Sequence, residues 1–206
     1  MKIALNGKFM TSPPTAVHRV GYELGCAFCR ARPRDTVGFL VRATDDGPGL
    51  PRDVPHEALR NLRPLVWEQI ILPRALKGRI LLNLCNTTPL LARNAFTMVH
   101  DAQVFTAPIS YTFLRRQWLR LHTRLAGRLQ RGLLTVSDFA KGELVDLGIA
   151  PASRIHVIHN GVDHILRVDP DDTVLDRLAL APRGYALALA NTQPHKNIGV
   201  LLRAFA

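Results

Sequence analysis

The residues able to do chemistry in this 206-residue chain gather where short apolar runs end. Gly7-Lys8 follows Lys2–Asn6 and His100-Asp101 follows Phe96–Val99. Ser137-Asp138 follows Leu133–Val136, and Asn160-Gly161-Val162-Asp163 follows Arg154–Ile158. Each has an ordinary structural use: Asn160-Gly161 suits a turn, Ser137 or Asp138 a helix N-cap, and Asp101 a turn cap beside a core histidine. Turn chemistry does not account for a histidine leaving a buried run. In open parallel α/β sheets ligands bind outside the carboxyl ends of the strands, so four such exits define one crevice edge. Gly7, Ser137, Asn160 and Gly161 are the expected cleft-lining residues.

Other chemistries find less support. The phosphate-binding loop G-x-x-x-x-G-K-[ST], a G-x-G-x-x-G after the first strand and a G-x-S-x-G elbow are all absent from the sequence. His156, His159 and His164 lack a ligand spacing suited to a metal, since i and i+3 on a strand point to opposite faces. Cys26-x-x-Cys29 lies inside a helical pattern and reads as two small, buried, reduced thiols. Asp169-Pro-Asp171 has the form of an acidic metal-holding pair, but its place before a short helix favours capping.

The elements that must carry these residues alternate between β-rich and helical runs. Strands are expected at Lys2–Asn6, Thr36–Arg42, Arg79–Leu84, Phe96–His100, Leu133–Val136 and Arg154–Ile158. Helices are expected at Thr15–Arg32, with Val17, Val20, Leu24 and Phe28 on the core face, and at Trp67–Leu76, where Pro73 kinks or ends the helix. Two more follow, at Tyr111–Arg131 and Asp138–Leu147, while Ala43–Pro55 reads as a surface loop. Continuous apolar strands alternating with helices predict an α/β, Rossmann-like parallel sheet with helices on both faces. The pattern closes near residue 165. Residues 166–183 read as a linker, and Tyr185–Ala190 with the helix from Asn197 reads as the opening of an incomplete second domain, 184–206.

Net charge is +11 and charged residues are 21% of the chain, which favours an anionic partner. Arg116, Arg120, Arg124 and Arg128 recur every four residues on the Tyr111–Arg131 helix, with Leu114, Trp118, Leu121 and Leu125 on another face. Such a helix can lie on an anionic membrane surface or form the solvated outer layer of the domain. No apolar run reaches the roughly 20 residues that span a bilayer, and the start does not read as an export signal. The expected location is cytoplasmic, peripheral to the inner membrane face in one reading.

In order and spacing, several segments together resemble the family 4 glycosyltransferases of the GT-B fold, particularly members of bacterial polysaccharide assembly. The segments are Thr15-Ala-Val-His-Arg-Val-Gly-Tyr-Glu-Leu24, Trp67-Glu-Gln69, Asn83-Leu-Cys-Asn-Thr-Thr-Pro-Leu90 and Val99-His-Asp101. Thr135 to Leu144, Val157-Ile-His-Asn-Gly-Val-Asp163 and Asn191-Thr-Gln-Pro-His-Lys-Asn197 complete them. The resemblance implies two Rossmann-like domains facing across a cleft, with this chain supplying the acceptor side. It implies His100, with Asp101 beside it, at the transferred sugar. Thr15 and Ala16 would face the donor diphosphate, and Lys196 would compensate charge on the departing nucleoside diphosphate. A nucleotide-sugar co-substrate, no metal, no other cofactor and retention of the anomeric configuration are implied as well. The expected function is hexosyl transfer, mannosyl being one option, to a saccharide or lipid-diphosphate-linked acceptor. The resemblance also implies that the chain is a fragment, inactive alone. Two alternatives stay open: a basic nucleic-acid-binding module, for which no specific motif is present, and a non-catalytic acceptor-binding half that pairs with a separate C-terminal half.

Overall fold

Every strand that pairs among the described residues pairs in parallel, which forces helices or long crossovers onto the sheet faces. The computed structural model describes residues 2–43, 49–171, 173–181, 183–189 and 196–205. Seven strands, β1 (Ile3–Asn6), β2 (Thr36–Arg42), β3 (His56–Leu59), β4 (Ile80–Asn83), β5 (Ala95–Met98), β6 (Gly132–Thr135) and β7 (Ile155–Val157), form one sheet. Their order is β3-β2-β1-β4-β5-β6-β7, so the winding reverses between β1 and β4. This is the expected Rossmann-like α/β fold. The edge strand β3 is an addition to the sequence reading, because His56-Glu-Ala-Leu59 is short, mostly exposed and carries no apolar alternation.

Alternate residues of the strands feed two layers. Leu5, Phe39 and Val41 pack with Cys26 and Cys29 under α1 (Ala16–Ala31), while Ala4, Leu40 and Leu81 pack with Trp67 and Leu72 on the other face. Val99, Leu133, Leu144 and Ile155 gather a third cluster at the β7 end. On α1 the expected core face is displaced. Val17, Val20, Leu24 and Phe28 are half-buried, and the deepest positions are Gly21, Gly25, Cys26 and Cys29. Size is the reason: a Cβ on Gly25 would stand 2.3 Å from Phe39 Cζ, and one on Gly21 would stand 2.7 Å from Cys85 Sγ. Cys26 and Cys29 are buried as expected, and burial pushes the Cys26 thiol up to about 11.

The helix expected at Trp67–Leu76 starts earlier and changes pitch. It runs as α2 (Pro64–Val66), a π turn over Trp67–Ile71 and α3 (Leu72–Ala75). Pro73 has no N–H to give and its ring crowds the carbonyl four residues back, and the widened turn accommodates both. A short helix α4 (Gln103–Thr106) precedes α5 (Phe113–Leu129), and α6 (Asp138–Asp146) is capped by Ser137, whose Oγ accepts from Ala140 N–H at 3.1 Å. Beyond β7, Asp171 Oδ1 accepts from the N–H of Thr173, the first residue of α7 (Thr173–Arg177), at 3.1 Å, so the second aspartate of the Asp169-Pro-Asp171 pair has the expected capping use.

One expectation is corrected. The strand expected over Tyr185–Ala190 does not form over 185–189, where Leu189 is 98% exposed; residue 190 lies outside the described residues. Among the described residues no strand lies beside it, and an isolated strand leaves its backbone groups without partners. The helix after it does form, as α8 (Ile198–Phe205), with Val200, Leu201, Leu202 and Phe205 exposed. On α5, Leu114, at 79% exposure, and Leu121 face outward, while His122, Thr123, Ala126 and Gly127 are buried. Gly127 decides this, since a Cβ there would stand 2.2 Å from the Ile149 carbonyl oxygen. Among the described residues no helix is long and apolar enough to cross a membrane.

Gly25→Ala should destabilise the protein by about 1–3 kcal/mol through overpacking against Phe39. Gly142→Ala, on the exposed side of α6 where a Cβ meets nothing within 4 Å, should be neutral or stabilising by up to about 1 kcal/mol. Urea unfolding of the two variants checks the contrast.

Candidate functional site

The reversal of strand order between β1 and β4 leaves a crevice at their carboxyl ends, because the crossovers leave in opposite directions there. A large cavity, about 670 Å³, lies at this point. Asn6, Lys8 and Phe9 line it from the exit of β1, and Leu84, Cys85, Asn86 and Thr87 from the exit of β4. Asp101 and Gln103 enter from beyond β5, Tyr111 and Arg115 from the start of α5, and Thr15 to His18 from the start of α1. Thr15 caps α1, with Oγ1 accepting from His18 N–H at 3.2 Å. Helix geometry leaves the N–H groups of Ala16 and Val17 without intrahelical carbonyls, so this wall favours an anion or a sugar oxygen.

Beneath the cavity lies a connected set of buried polar groups. Glu68, in the π turn, is fully buried and accepts from Lys8 Nζ at 2.6 Å and from Thr87 Oγ1 at 2.7 Å. Asn6 Nδ2 donates to Asn83 Oδ1 at 3.0 Å, and Asn83 Nδ2 donates to Thr88 Oγ1 at 2.9 Å. Gln130 Nε2 donates to the same Thr88 hydroxyl at 2.8 Å, and Gln69 accepts from Leu90 N–H at 2.8 Å. Two of the sequence segments, Trp67-Glu-Gln69 and Asn83 to Leu90, thus close on each other through hydrogen bonds. This ties the loop after β4, which forms the cavity floor, to the helix behind it.

The expected site residues divide among several places. Thr15, Ala16 and Asp101 line the large cavity. Asn160 and Gly161 line an adjoining cavity of about 460 Å³, to which Ala16 also contributes, with His164 and Arg167 beside them. Asp101 Oδ1 also accepts from Gln103 N–H at 3.0 Å, so its turn-capping use is real too. His100 is buried and does not line the large cavity. Its Nε2 donates to the Leu84 carbonyl at 2.8 Å, which leaves Nδ1 as the acceptor of the neutral ring, and burial lowers its pKa. Gly7 is buried and lines none of these cavities: its N–H donates to Leu40 O at 2.8 Å, and a Cβ would stand 2.7 Å from that oxygen. Ser137 serves α6 as its cap. Lys196 is exposed just ahead of α8 and lines none of these cavities, and residues 191–195 of its segment lie outside the described residues.

Lys8, Glu68, Thr87, Gln103 and Arg115 carry chemistry that the sequence reading did not assign. Lys8 adjoins Gly7 at a strand exit, and Glu68 lies in a singled-out segment, so a signal existed for both. What sequence cannot supply is that residues 60 positions apart meet. The arginine row on α5 is less open than its spacing suggests. Arg120 donates to the Val104 carbonyl at 3.0 Å, and the Arg120 and Arg124 guanidinium groups lie 5.4 and 5.3 Å from the Phe105 ring centre. Those charges pin α4 to α5 instead of lining a continuous basic groove. Among the described residues no three His, Cys, Asp or Glu side chains group to hold a metal ion.

Replacing Lys8 by Met should leave Glu68 buried and uncompensated and cost about 3–5 kcal/mol in urea unfolding. The double variant Lys8→Met/Glu68→Leu should recover most of that loss. A second effect concerns pH. Burial lowers the pKa of His100 and of His122, whose Nδ1 accepts from Thr88 N–H at 3.3 Å. The unfolded chain then binds protons that the folded chain refuses, so stability is full above about pH 6.5 and falls as pH drops below it. Melting temperatures at pH 7.5 and 5.5 check this, with a smaller difference expected in His122→Asn.

No protein-family model matches the chain. The O-antigen chain mannosyltransferase B of Escherichia coli is 35% identical over 116 residues, which are 54% of this chain and 30% of that protein. The crystal structure of Anabaena Alr3699/HepE in complex with UDP is similar with a TM-score of 0.51 at 18% identity, covering 87% of this chain and 50% of that one. The chain therefore spans less than two thirds of the length of either. It has a glycosyltransferase-like, Rossmann-like α/β fold and is, over part of its length, similar in sequence to a mannosyltransferase.

Proposed function

We propose that this chain is the acceptor side of a glycosyltransferase that moves a hexosyl group, mannosyl by its partial similarity to a mannosyltransferase, from a nucleotide-sugar to a lipid-diphosphate-linked saccharide. The observation that carries this reading is the cavity at the β1/β4 reversal, walled by the start of α1 and floored by Asn6, Asn86 and Thr87. Its neutral amides and hydroxyls suit sugar oxygens, and the α1 N-terminus suits a diphosphate. The partial similarity to an O-antigen chain mannosyltransferase and the UDP bound by HepE support the same substrate classes.

In this reading residues 1–165 form the acceptor-side unit, 166–183 connect, and 184–206 open a nucleotide-sugar-binding unit. Thr15 and Ala16 face the donor diphosphate, Lys196 offsets charge on the departing nucleoside diphosphate, and Asn160 and Gly161 line the cleft toward the second unit. Asp101 meets the substrate in the cavity. His100, held by Leu84, fixes the floor, with Nδ1 as its remaining acceptor. Transfer retains the anomeric configuration and uses no bound metal or other cofactor. The acceptor's lipid holds the chain peripherally at the inner membrane face, aided by a net charge of +11.

Sedimentation with anionic vesicles tests the reading. Binding should increase when a lipid-diphosphate-linked mannose saccharide is included and should persist at moderate salt. Binding that ignores the saccharide and vanishes with salt would sink the acceptor assignment. Sugar transfer by the 206-residue chain alone would overturn the division into two units.

A further inference from the structure

Lys8 is no ordinary surface lysine. It lines the large cavity with its side chain only 23% exposed, and its ammonium is held from behind. Nζ lies 2.6 Å from Glu68 Oε2 and 3.4 Å from Thr87 Oγ1. Thr87 gives its own proton to Glu68 Oε1 at 2.7 Å, so its oxygen is an acceptor for Lys8. Two of the three ammonium donors are thereby engaged, and one remains. The backbone is fixed as well, since Lys8 N–H donates to Asn6 Oδ1 at 3.1 Å. Glu68 is buried on a π turn, an arrangement costly enough to need a reason.

We infer that Lys8 binds a hydroxyl oxygen of the saccharide in this cavity, with Glu68 and Thr87 as positioning residues that aim its free N–H; the inference rests on the acceptor-side reading above. Charge selects a hydroxyl over a phosphate. The Glu68 carboxylate in contact with Lys8 cancels its charge, and a phosphate on the same ammonium would face that carboxylate within a few ångström. Away from the α1 N-terminus the lining agrees: Asn6, Asn86 and Gln103 are neutral, and Asp101 and Arg115 bring opposite charges. An uncharged, oxygen-rich ligand fits this balance. A half-buried charge pair held by a buried carboxylate also fixes direction, which discriminates between sugars that differ in one hydroxyl.

Ligand-observed NMR titrations of the 206-residue chain with α-linked mannotriose and with inorganic diphosphate test the inference. The double variant Lys8→Met/Glu68→Leu removes both charges together, so the fold has no stranded carboxylate. It should bind mannotriose at least about tenfold more weakly, the loss of a hydrogen bond from a charged donor, with diphosphate binding unchanged. Glu68→Gln keeps Lys8 but loosens its aim, and should weaken mannotriose by about three- to tenfold, with Lys8→Arg retaining part of the wild-type affinity. Reductive methylation supplies an independent readout: mannotriose should protect Lys8 but not Lys2, Lys77, Lys141 or Lys196. Unchanged mannotriose binding in the double variant makes the pair purely structural and overturns the inference. So does loss of diphosphate with mannotriose retained, or a wild-type chain that binds no mannotriose. A chain that binds mannotriose through Lys8 yet fails the vesicle test loses the lipid-linked acceptor and keeps this inference.

Discussion

The carboxylate of Glu68 sets the terms for the centre of this molecule. A fully buried carboxylate persists only where donors surround it, and here the donors come from three separate pieces of chain: Lys8 after β1, Thr87 after β4, and Asn6 at 3.4 Å from the end of β1. Each donor brings its backbone with it. The loop after β4 is therefore held down on the π turn, and the residue leaving β1 is turned toward the reversal of the sheet. The same bonds make the cavity floor polar and rigid, which suits a ligand rich in oxygens.

Access to that floor depends on how close α1 can lie to the sheet. Gly21 and Gly25 let the helix approach Cys85 and Phe39, and this proximity brings the capped start of α1 to the cavity wall. Larger residues at these positions would lift the helix and widen the mouth. The sheet order does the rest, because the opposite crossovers on either side of β1 and β4 leave an opening at the carboxyl ends of these strands.

Charge is distributed less openly than its total suggests. Arg120 and Arg124 stack over Phe105, Arg116 over Phe113, and Lys8 is offset by Glu68. The excess of positive charge remains, but the row on α5 does structural duty near the cavity mouth. The exposed side chains there are apolar as well as basic, with Phe113 and Leu114 facing outward beside Arg115.

The α/β class, the parallel sheet, six of its strands and the caps at Ser137 and Asp171 were legible in the sequence, because periodicity and capping chemistry are local, whereas the cap at Thr15 was not read there. The sequence also placed Asp101, Thr15 and Ala16 at strand or helix ends that do converge. Which residues meet follows from packing across the whole chain. Glu68 reaches Lys8 across 60 positions, and small residues rather than the apolar stripe form the buried faces of α1 and α5. Helical periodicity ranks side chains by hydrophobicity, whereas close packing ranks them by size, and at Gly25 and Gly127 size prevailed. Tyr185–Leu189 shows the remaining limit: β propensity is expressed only where a neighbouring strand supplies hydrogen-bond partners.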